Sequence, residues 1–279
     1  MQAYRSQDLR NIVLMGHRGS GKTSLAEAAL FLSGAIKRMG RVEDGNTVSD
    51  FEAQEHAHHY SISSAVVPVE WGGRRLNLLD TPGFPDFEGE VVAAAGAAEA
   101  AIITVDAVGG IQAGTDIAWQ HADAAGGLPR IVAVTRLDRE NANFDTVLAA
   151  LRKRFGLKVV PLAIPIGTPS AFAGVIDVLR GRSYRGAGDA EGDVPEDRAV
   201  AAASAREMLI ESVAGTDDAL LNDYLEGKEI EGERLAAALA LAVSTGEIVP
   251  VIAVANTSAV GVRPLLDYAA MLLPSPIGR

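Results

Sequence analysis

A glycine-rich loop between a strand and a helix constrains this chain more than any other feature of its sequence. Residues 12–15 are apolar and partly β-branched, which predicts a buried strand that ends at Gly16. From residue 24 onward, apolar residues recur at helical spacing. Residues 16–23 between them read Gly-His-Arg-Gly-Ser-Gly-Lys-Thr, which matches the phosphate-loop pattern. The order of strand, loop and helix therefore predicts an anion-binding turn at the edge of a sheet.

The loop residues indicate how such a turn would hold phosphates. Glycines let the backbone direct its amide groups inward, and the following helix presents its positive N-terminal end. The Lys22 side chain is expected to reach the β- and γ-phosphates, and the Thr23 hydroxyl to coordinate Mg²⁺. The remaining expected phosphate contacts are Gly19, Ser20, Gly21 and Ser24. His17 and Arg18 fill free positions of the motif, so we expect them to be exposed and to have no chemical role.

The composition limits the classes of protein and of ligand. The 279 residues include 25 Lys and Arg against 36 Asp and Glu, a net charge of −11, which argues against wrapping nucleic acid and against direct, specific DNA binding. A phosphate ligand must then be held by local geometry rather than by the overall charge. The absence of cysteine excludes disulfides, thiolate catalysis and thiolate metal sites. No apolar stretch approaches the length of a membrane span, so we expect a soluble, cytoplasmic protein.

Strands and helices alternate along most of the chain. Further short apolar runs occur at residues 101–106, 131–135 and 248–254, and each is followed by a segment of helical length. The pair Gly72-Gly73 lies between two apolar runs and predicts a hairpin, while residues 88–100 are alanine-rich and predicted to be helical. This alternation predicts an α/β fold with a mostly parallel sheet and helices on both faces. Ligands of such sheets bind beyond the carboxyl ends of the strands.

The middle of the chain differs in character from the rest. Residues 167–247 contain a Gly/Asp/Glu-rich stretch and predicted acidic amphipathic helices at about 197–214 and 231–244. We therefore interpret residues 167–247 as an inserted α+β subdomain that interrupts one α/β domain. The predicted parts of that domain are residues 1–166 and 248–274, and residues 275–279 are predicted to begin a linker to missing domains.

A second motif, Asp80-Thr-Pro-Gly83, places an acid at the end of a predicted strand and a glycine in the following turn. Asp80 is expected to hold a water molecule of the Mg²⁺ shell, and the Gly83 amide to contact the γ-phosphate. Such tetrapeptides are common turns, so the motif is weak evidence alone. Together with the phosphate loop, it indicates a sensor of the third phosphate, which distinguishes molecular switches from simple nucleotide kinases.

The residues after the strand at 131–135 bear on the choice of base. They read Thr135-Arg136-Leu137-Asp138. The Asp138 carboxylate can accept hydrogen bonds from N1–H and the exocyclic amine of guanine, which adenine cannot donate. The Arg136 stem can stack on the base. Taken alone, Asp138 is more simply explained as an exposed acid in a loop. Together with the other motifs, it favours a protein that binds guanine nucleotides over the alternative, an ATP-dependent protein.

These motifs together resemble the translational GTPases of the elongation factor G type, and in particular their divergent elongation factor G-like branch, elongation factor G-2. The resemblance runs through residues 16–23, 80–91, 109–115, 135–138, 174–178, 261–266 and 273–276. It implies a P-loop GTPase fold, GTP or GDP with Mg²⁺ as ligands, hydrolysis of GTP, and the ribosome as a partner. It also implies that this chain is the N-terminal part of a longer protein. Because the chain is acidic, we expect the missing domains to provide most of the ribosome affinity.

The sequence departs from that family where hydrolysis is catalysed. The usual His after Asp-Thr-Pro-Gly is Phe84, whose apolar ring cannot orient a water molecule by hydrogen bonding. No residue is therefore assigned as catalytic beyond the phosphate-stabilising Lys22, and hydrolysis is expected to be slow or to be arranged differently. A switch that binds GTP and GDP without hydrolysing GTP is the alternative.

Other departures affect the remaining loops of the implied site. Ser61 is the nearest equivalent of the first-switch threonine that closes on Mg²⁺, and Thr135 and Arg136 replace the usual Asn and Lys. Ala255 and Asn256 align with the last guanine loop, which acts mainly through backbone amides. His56, His58 and His59 match no standard zinc spacing, so a mobile, solvated switch loop is favoured over a metal site.

Overall fold

A single large sheet organises the chain in the computed structural model, which describes residues 4–168, 171–187, 190–228, 230 and 232–277. Within these residues, ten strands pair into one sheet of order β2-β3-β1-β4-β5-β10-β6-β7-β8-β9. The strands are β1 Leu9–Gly16, β2 Ala65–Trp71, β3 Arg74–Asp80, β4 Ala100–Asp106, β5 Arg130–Thr135, β6 Val159–Ile166, β7 Gly174–Asp177, β8 Arg182–Arg185, β9 Ala190–Gly192 and β10 Val249–Ala253.

Six neighbouring strands of the sheet, β3-β1-β4-β5-β10-β6, are parallel. The hairpin β2-β3 extends the sheet at one edge and β7-β8-β9 at the other, both by antiparallel pairing. The predicted α/β fold with a mostly parallel sheet is confirmed, as is the hairpin around Gly72-Gly73. The division at residues 167 and 247 remains a prediction, and the strands β7–β9 of that segment continue the main sheet.

Helices connect the strands and surround the sheet. Their bounds are α1 Lys22–Leu32, α2 Ala53–His58, α3 Glu88–Ala97, α4 Ala113–Ala124, α5 Phe144–Phe155, α6 Ala199–Ala214, α7 Asp218–Leu225, α8 Gly232–Ser244 and α9 Val262–Leu272. The predicted helix at 88–100 is too long, because Ala100 begins β4 and pairs with β1. The predicted helix start at residue 231 lies outside the described residues, and α7 is not anticipated from the sequence. No helix among the described residues combines the length and apolarity needed to span a bilayer.

The sheet position of β1 explains its unbroken apolar sequence. Residues 12–15 are fully buried, because β3 and β4 pair with β1 on either side and helices cover the faces. Parallel pairing also brings the carboxyl ends of β1, β3, β4, β5 and β10 to one edge. Most of the predicted site residues lie at the ends of these strands or in the segments that follow them, whereas Ser61 lies between α2 and β2.

A buried polar cluster joins the last helix to both antiparallel edges of the sheet. Asp177 of β7 is fully buried and accepts a hydrogen bond from the hydroxyl of Tyr268 in α9. Arg180 lies 3.1 Å from the same carboxylate. Burial raises the pKa of Asp177 above its usual value, although these donors oppose the shift. One residue before Tyr268, Asp267 accepts a 2.8 Å hydrogen bond from Trp71 of the hairpin.

Removing core volume from β1 should destabilise the protein. Leu14 is fully buried, so we expect Leu14→Ala to lower the free energy of unfolding by about 2–5 kcal/mol. The matched control is Leu157→Ala, where the side chain is 73% exposed and the change should stay within about 0.5 kcal/mol. Chemical denaturation followed by circular dichroism measures both. Equal losses in the two variants would contradict the assignment of β1 to the core.

Candidate functional site

The phosphate loop (residues 16–23) joins β1 to α1 and follows the edge of the sheet closely. Gly16, Gly19 and Gly21 have φ angles of +147°, +72° and +91°, which side-chain-bearing residues rarely adopt. A Cβ atom on Gly16 would lie 2.5 Å from the carbonyl oxygen of Thr104. The Ser20 hydroxyl is 2.6 Å from the Thr104 hydroxyl. The glycines therefore permit both the turn and its close packing on β4.

Lys22 folds back over this loop. Its side chain is buried, and Nζ donates hydrogen bonds to the carbonyl oxygens of Gly16 at 3.0 Å and His17 at 3.2 Å. Burial lowers the pKa of Lys22 to about 8, against an opposing effect of the Asp80 charge. The ammonium group is thereby held in the wall of a cavity enclosed by the loop, the turn at Gly83 and residues 42–61.

Most of the predicted phosphate and metal residues line that one cavity. The lining includes Gly19, Gly21, Lys22, Thr23, Ser24, Ser61, Gly83 and Arg136. Ser20 and Asp80 are buried beneath it, and Asp138, Ala255 and Asn256 do not line it. Phosphate-binding and metal-binding candidates are therefore together. Of the base-reading candidates, Arg136 lines the same cavity, whereas Thr135, Asp138, Ala255 and Asn256 do not.

Asp80 and the hydroxyls of Thr23 and Ser61 form an oxygen-rich corner beside the cavity. Asp80 is buried, and its Oδ2 accepts a 2.7 Å hydrogen bond from Ser49. Its Oδ1 is buried without a hydrogen-bond partner among the described residues. Burial raises the pKa of Asp80 to about 6, although the hydrogen bond from Ser49 opposes this. The Thr23 and Ser61 hydroxyls are 3.2 Å apart. Oxygen donors with an uncommitted carboxylate atom suit Mg²⁺.

Asp50 is an acid beside the candidate site that the sequence does not predict. It is buried and accepts hydrogen bonds from Ser61 at 2.6 Å and Thr47 at 2.9 Å. These bonds hold the Ser61 hydroxyl beside Thr23. The segment around Asp50 has neither helical nor strand periodicity, so its sequence gives no sign that this acid is buried.

Two glutamates fasten the segment of residues 40–63, which we call the first switch segment. Glu27 of α1 is buried and accepts hydrogen bonds from the backbone N–H groups of Gly40 at 2.7 Å and Val48 at 2.5 Å. Glu55 accepts from four backbone N–H groups at 2.8–3.1 Å. Burial alone would raise the pKa of Glu55, but these donors outweigh it and lower the pKa. The segment is therefore tied both to α1 and to itself.

The histidines of the first switch segment contact its backbone. A ring nitrogen of His56 lies 2.6 Å from the carbonyl oxygen of Asp50, and one of His59 lies 3.0 Å from that of Val42. The His58 ring stacks on Tyr60 at a centroid distance of 5.6 Å. These contacts give the ring nitrogens of His56 and His59 structural partners within the segment.

Phe84 lies between the first switch segment and the phosphate loop. Its ring centroid is 4.5 Å from that of Tyr60 and 4.3 Å from the guanidinium carbon of Arg18. Arg18 is exposed, as expected, but it is not without a contact. A cation above an aromatic ring is attracted by the ring quadrupole. In the sequence, this contact could be inferred only from a basic residue in the phosphate loop together with an aromatic residue after Gly83.

The base-reading candidates follow β5. Thr135 is buried and its hydroxyl donates to the Ser20 carbonyl oxygen at 2.7 Å, which ties the strand end to the phosphate loop. Arg136 pairs with Asp106 at 2.8 Å. The Asp138 carboxylate is exposed and accepts a 2.7 Å hydrogen bond from the Thr257 hydroxyl. A second cavity adjoins this region, lined by Ser24, Arg38, Arg136, Arg139, Asn256 and Thr257 among others.

The loop after β10 supports the phosphate loop from beneath. The Asn256 side-chain amide donates to the Gly21 carbonyl oxygen at 2.7 Å, and a Cβ atom on Gly21 would lie 2.4 Å from that nitrogen. The Ala255 N–H, expected to serve a ligand, already donates to Val260 at 2.9 Å. The side chain of Asn256 thus has a positioning role that the alignment with the guanine loop does not predict.

Comparisons with known proteins found relatives of both the sequence and the fold. Residues 7–275 match the family described as "Elongation factor Tu GTP binding domain". A curated relative, elongation factor G 2 of Syntrophus aciditrophicus (strain SB), is 32% identical over 278 residues, which are 98% of this chain and 41% of the relative. A crystal structure of a protein from Thermus thermophilus superposes with a TM-score of 0.91 at 38% identity, covering 98% of this chain and 41% of the other. The chain thus spans less than half the length of each.

Substitution of Glu27 should loosen the first switch segment, and faster amide exchange in that segment should report the change. In Glu27→Gln, only the amide oxygen can accept a hydrogen bond. The NH₂ group would face one of the two backbone N–H donors, so one of the two hydrogen bonds would be lost. We expect amide exchange at Gly40 and Val48 to accelerate about tenfold or more, the loss of roughly 1.5 kcal/mol. Hydrogen exchange with mass spectrometry measures it. The control is Glu207→Gln, at an exposed position of α6. Unchanged exchange in residues 40–48 would contradict the assigned anchor.

Proposed function

The chain belongs to the family of the elongation factor Tu GTP binding domain, and from this premise we propose that it binds Mg²⁺ with GTP or GDP and hydrolyses GTP in association with the ribosome. It would do so as the nucleotide-binding part of an elongation factor G-like translational GTPase of the cytoplasm. The proposed organisation is a GTP-binding domain of residues 1–166 and 248–274, an insertion at 167–247, and a linker from residue 275.

The observation that carries the proposal is the convergence of the phosphate candidates on one cavity. Lys22 and the Gly83 turn face each other closely, since a Cβ atom on Gly83 would lie 2.7 Å from Lys22 Nζ. Thr23 and Ser24 lie in the first turn of α1 at the same cavity, where the helix N-terminus favours an anion. We assign the β- and γ-phosphates to this cavity, with Gly19, Ser20 and Gly21 supplying the surrounding backbone.

The oxygen-rich corner is the proposed place for Mg²⁺. The Thr23 and Ser61 hydroxyls would hold the ion, and Asp80 would accept hydrogen bonds from its water through the unpartnered Oδ1. When bound, the ion would neutralise negative charge on the β- and γ-phosphates. The residues of the chain orient this corner, because Asp50 fixes Ser61 and Ser49 fixes Asp80.

Guanine is the proposed base. Asp138 would accept from N1–H and the exocyclic amine, with Thr135 and Arg136 shaping the loop beside it. Thr257 already orients the Asp138 carboxylate, and both Thr257 and Arg136 line the second cavity. Asn256 would act by holding Gly21, and Ala255 by completing the loop after β10.

A second candidate function is a GTP- and GDP-binding switch that hydrolyses GTP very slowly or not at all. The observation that favours it is the position of Phe84, whose ring contacts Arg18 and Tyr60 and offers no hydrogen-bonding atom to an attacking water. Multiple-turnover hydrolysis by the full-length protein with ribosomes separates the two candidates. A rate above the ribosome-free value supports the first, and an unchanged rate supports the second.

Base specificity should depend on Asp138. An amide cannot accept both guanine donors, so we expect Asp138→Asn to weaken GTP binding about 10–100-fold, for a loss of roughly 1.5–3 kcal/mol, with no gain for ATP. Equilibrium titration with fluorescent GTP, competed by ATP, measures this. The control is Asp193→Asn, at an exposed carboxylate paired with Arg182. Equal competition by ATP and GTP on the unmodified chain would instead support an ATP-dependent protein.

The rate of hydrolysis should respond to residue 84. Phe84→His introduces a ring that can hydrogen-bond to water, so we expect single-turnover GTP hydrolysis to accelerate by about tenfold or more. Phe84→Leu, which is equally unable to orient water, is the control and should not accelerate it. If Phe84→His leaves the rate unchanged, orientation of water by this position is not what limits hydrolysis.

A further inference from the structure

Arg18 is a cation at the rim of the cavity that the phosphate-binding candidates line. Its side chain lines the cavity together with Lys22 and Gly83. Within the residues that the structure describes, the Arg18 guanidinium contacts the Phe84 ring and has neither an ion-pair nor a hydrogen-bond partner. Arg136, which lines the same cavity, differs in that its guanidinium pairs with Asp106. Arg18 therefore keeps its hydrogen-bond donors available for an anion.

The surroundings of Arg18 place it near the outermost phosphate. A Cβ atom on Gly83 would lie 2.8 Å from the Arg18 Cα and 2.7 Å from Lys22 Nζ, so Gly83 lies against both residues. The lysine of a phosphate loop reaches the β- and γ-phosphates. The far side of the cavity, at Ser24 and Arg136, faces the proposed base site. Arg18 thus lies at the phosphate end of the cavity.

From this arrangement we propose that Arg18 contacts the terminal phosphate of GTP and makes the chain prefer GTP over GDP. The inference rests on the proposed function. GTP carries one more phosphoryl group and more negative charge than GDP, and a guanidinium binds phosphate oxygens through paired, charge-assisted hydrogen bonds. The chain has a net charge of −11 and buries Asp80 and Asp50 beside the cavity, so an added cation at this end offsets repulsion of the third phosphate.

Phe84 is the positioning residue for Arg18 in this proposal. A long arginine side chain on an exposed loop loses rotamer freedom when it binds, and contact with a ring reduces that loss beforehand. The Phe84 ring is itself in contact with Tyr60, at 4.5 Å between centroids. An aromatic ring at position 84 therefore orients the guanidinium.

The test compares affinities for two nucleotides in the 279-residue chain with Mg²⁺ present. Fluorescent GDP and a fluorescent, non-hydrolysable GTP analogue are titrated into the unmodified chain, Arg18→Ala and Arg18→Lys. We expect Arg18→Ala to weaken binding of the GTP analogue about tenfold and that of GDP less than about twofold. Arg18→Lys should be intermediate, because it keeps the charge without the planar donor pair. Arg185→Ala, at an exposed arginine of β8, is the control.

A second set of variants tests the role of Phe84. Phe84→Leu removes the ring but keeps apolar bulk, so it should lower the ratio of GTP-analogue affinity to GDP affinity. Phe84→Tyr keeps a ring, so its ratio should equal that of the unmodified chain. Combined with Arg18→Ala, the Phe84→Leu substitution should have little further effect on the ratio. General damage to the loop would lower both affinities, so the ratio reports specifically on the third phosphate.

Different results would overturn the Arg18 contact, the role of Phe84 and the proposed function. If Arg18→Ala changes neither affinity, or lowers both equally, the contact to the terminal phosphate is wrong. If the ratio in Phe84→Leu equals that of the unmodified chain, the positioning role is wrong. If the unmodified chain binds neither guanine nucleotide, the proposed function fails and the inference with it. Circular dichroism of each variant shows whether it is folded. If Arg18→Ala does not fold, the affinity ratio of Arg18→Lys decides between these outcomes.

Discussion

Hydrogen bonds from β4, from β5 and from the loop after β10 hold the phosphate loop in shape, and the candidate site depends on them. The loop follows β1, while its contacts come from Thr104 in β4, Thr135 at the end of β5 and Asn256 after β10. Each contact reaches the backbone or hydroxyl of Ser20 or the carbonyl of Gly21. A loop with positive φ angles at its glycines is costly to order, and these partners fix it before any ligand arrives.

The first switch segment is held by a different kind of contact. Its conformation depends on two buried carboxylates that accept hydrogen bonds from backbone N–H groups. One is Glu27 of α1, and the other is Glu55 within the segment itself. Little apolar burial supports it, since Val48 and Phe51 are exposed. Segments tied mainly by hydrogen bonds open at lower free energy than a packed core. The candidate site therefore combines a loop fixed on the sheet with a segment that is held mainly by hydrogen bonds.

The sequence predicts those parts of the molecule that follow from local patterns. The strand at residues 12–15, the hairpin around Gly72-Gly73 and the loop at Lys22 come from periodicity and spacing, and the structure has all of them. Contacts between distant residues have no such pattern. Asp50, Asn256 and Arg18 acquire their partners only because the fold brings separate loops to one edge of the sheet. Ala255 shows the converse, because an amide expected for a ligand is used by a turn.

The buried Asp177–Tyr268 pair bears on whether residues 167–247 can be deleted without damage to the rest of the fold. Asp177 belongs to the proposed insertion, whereas Tyr268 belongs to α9, and Arg180 connects both to Asp267 and so to Trp71 of the hairpin. Excision of residues 167–247 would leave a buried phenol without its acceptor and would uncover the edge of β6 that β7 now protects. A shortened chain would thus bury a phenol with no acceptor and expose an unpaired sheet edge that can pair with other chains. The segment is therefore as much a part of the scaffold as the strands beside the phosphate loop.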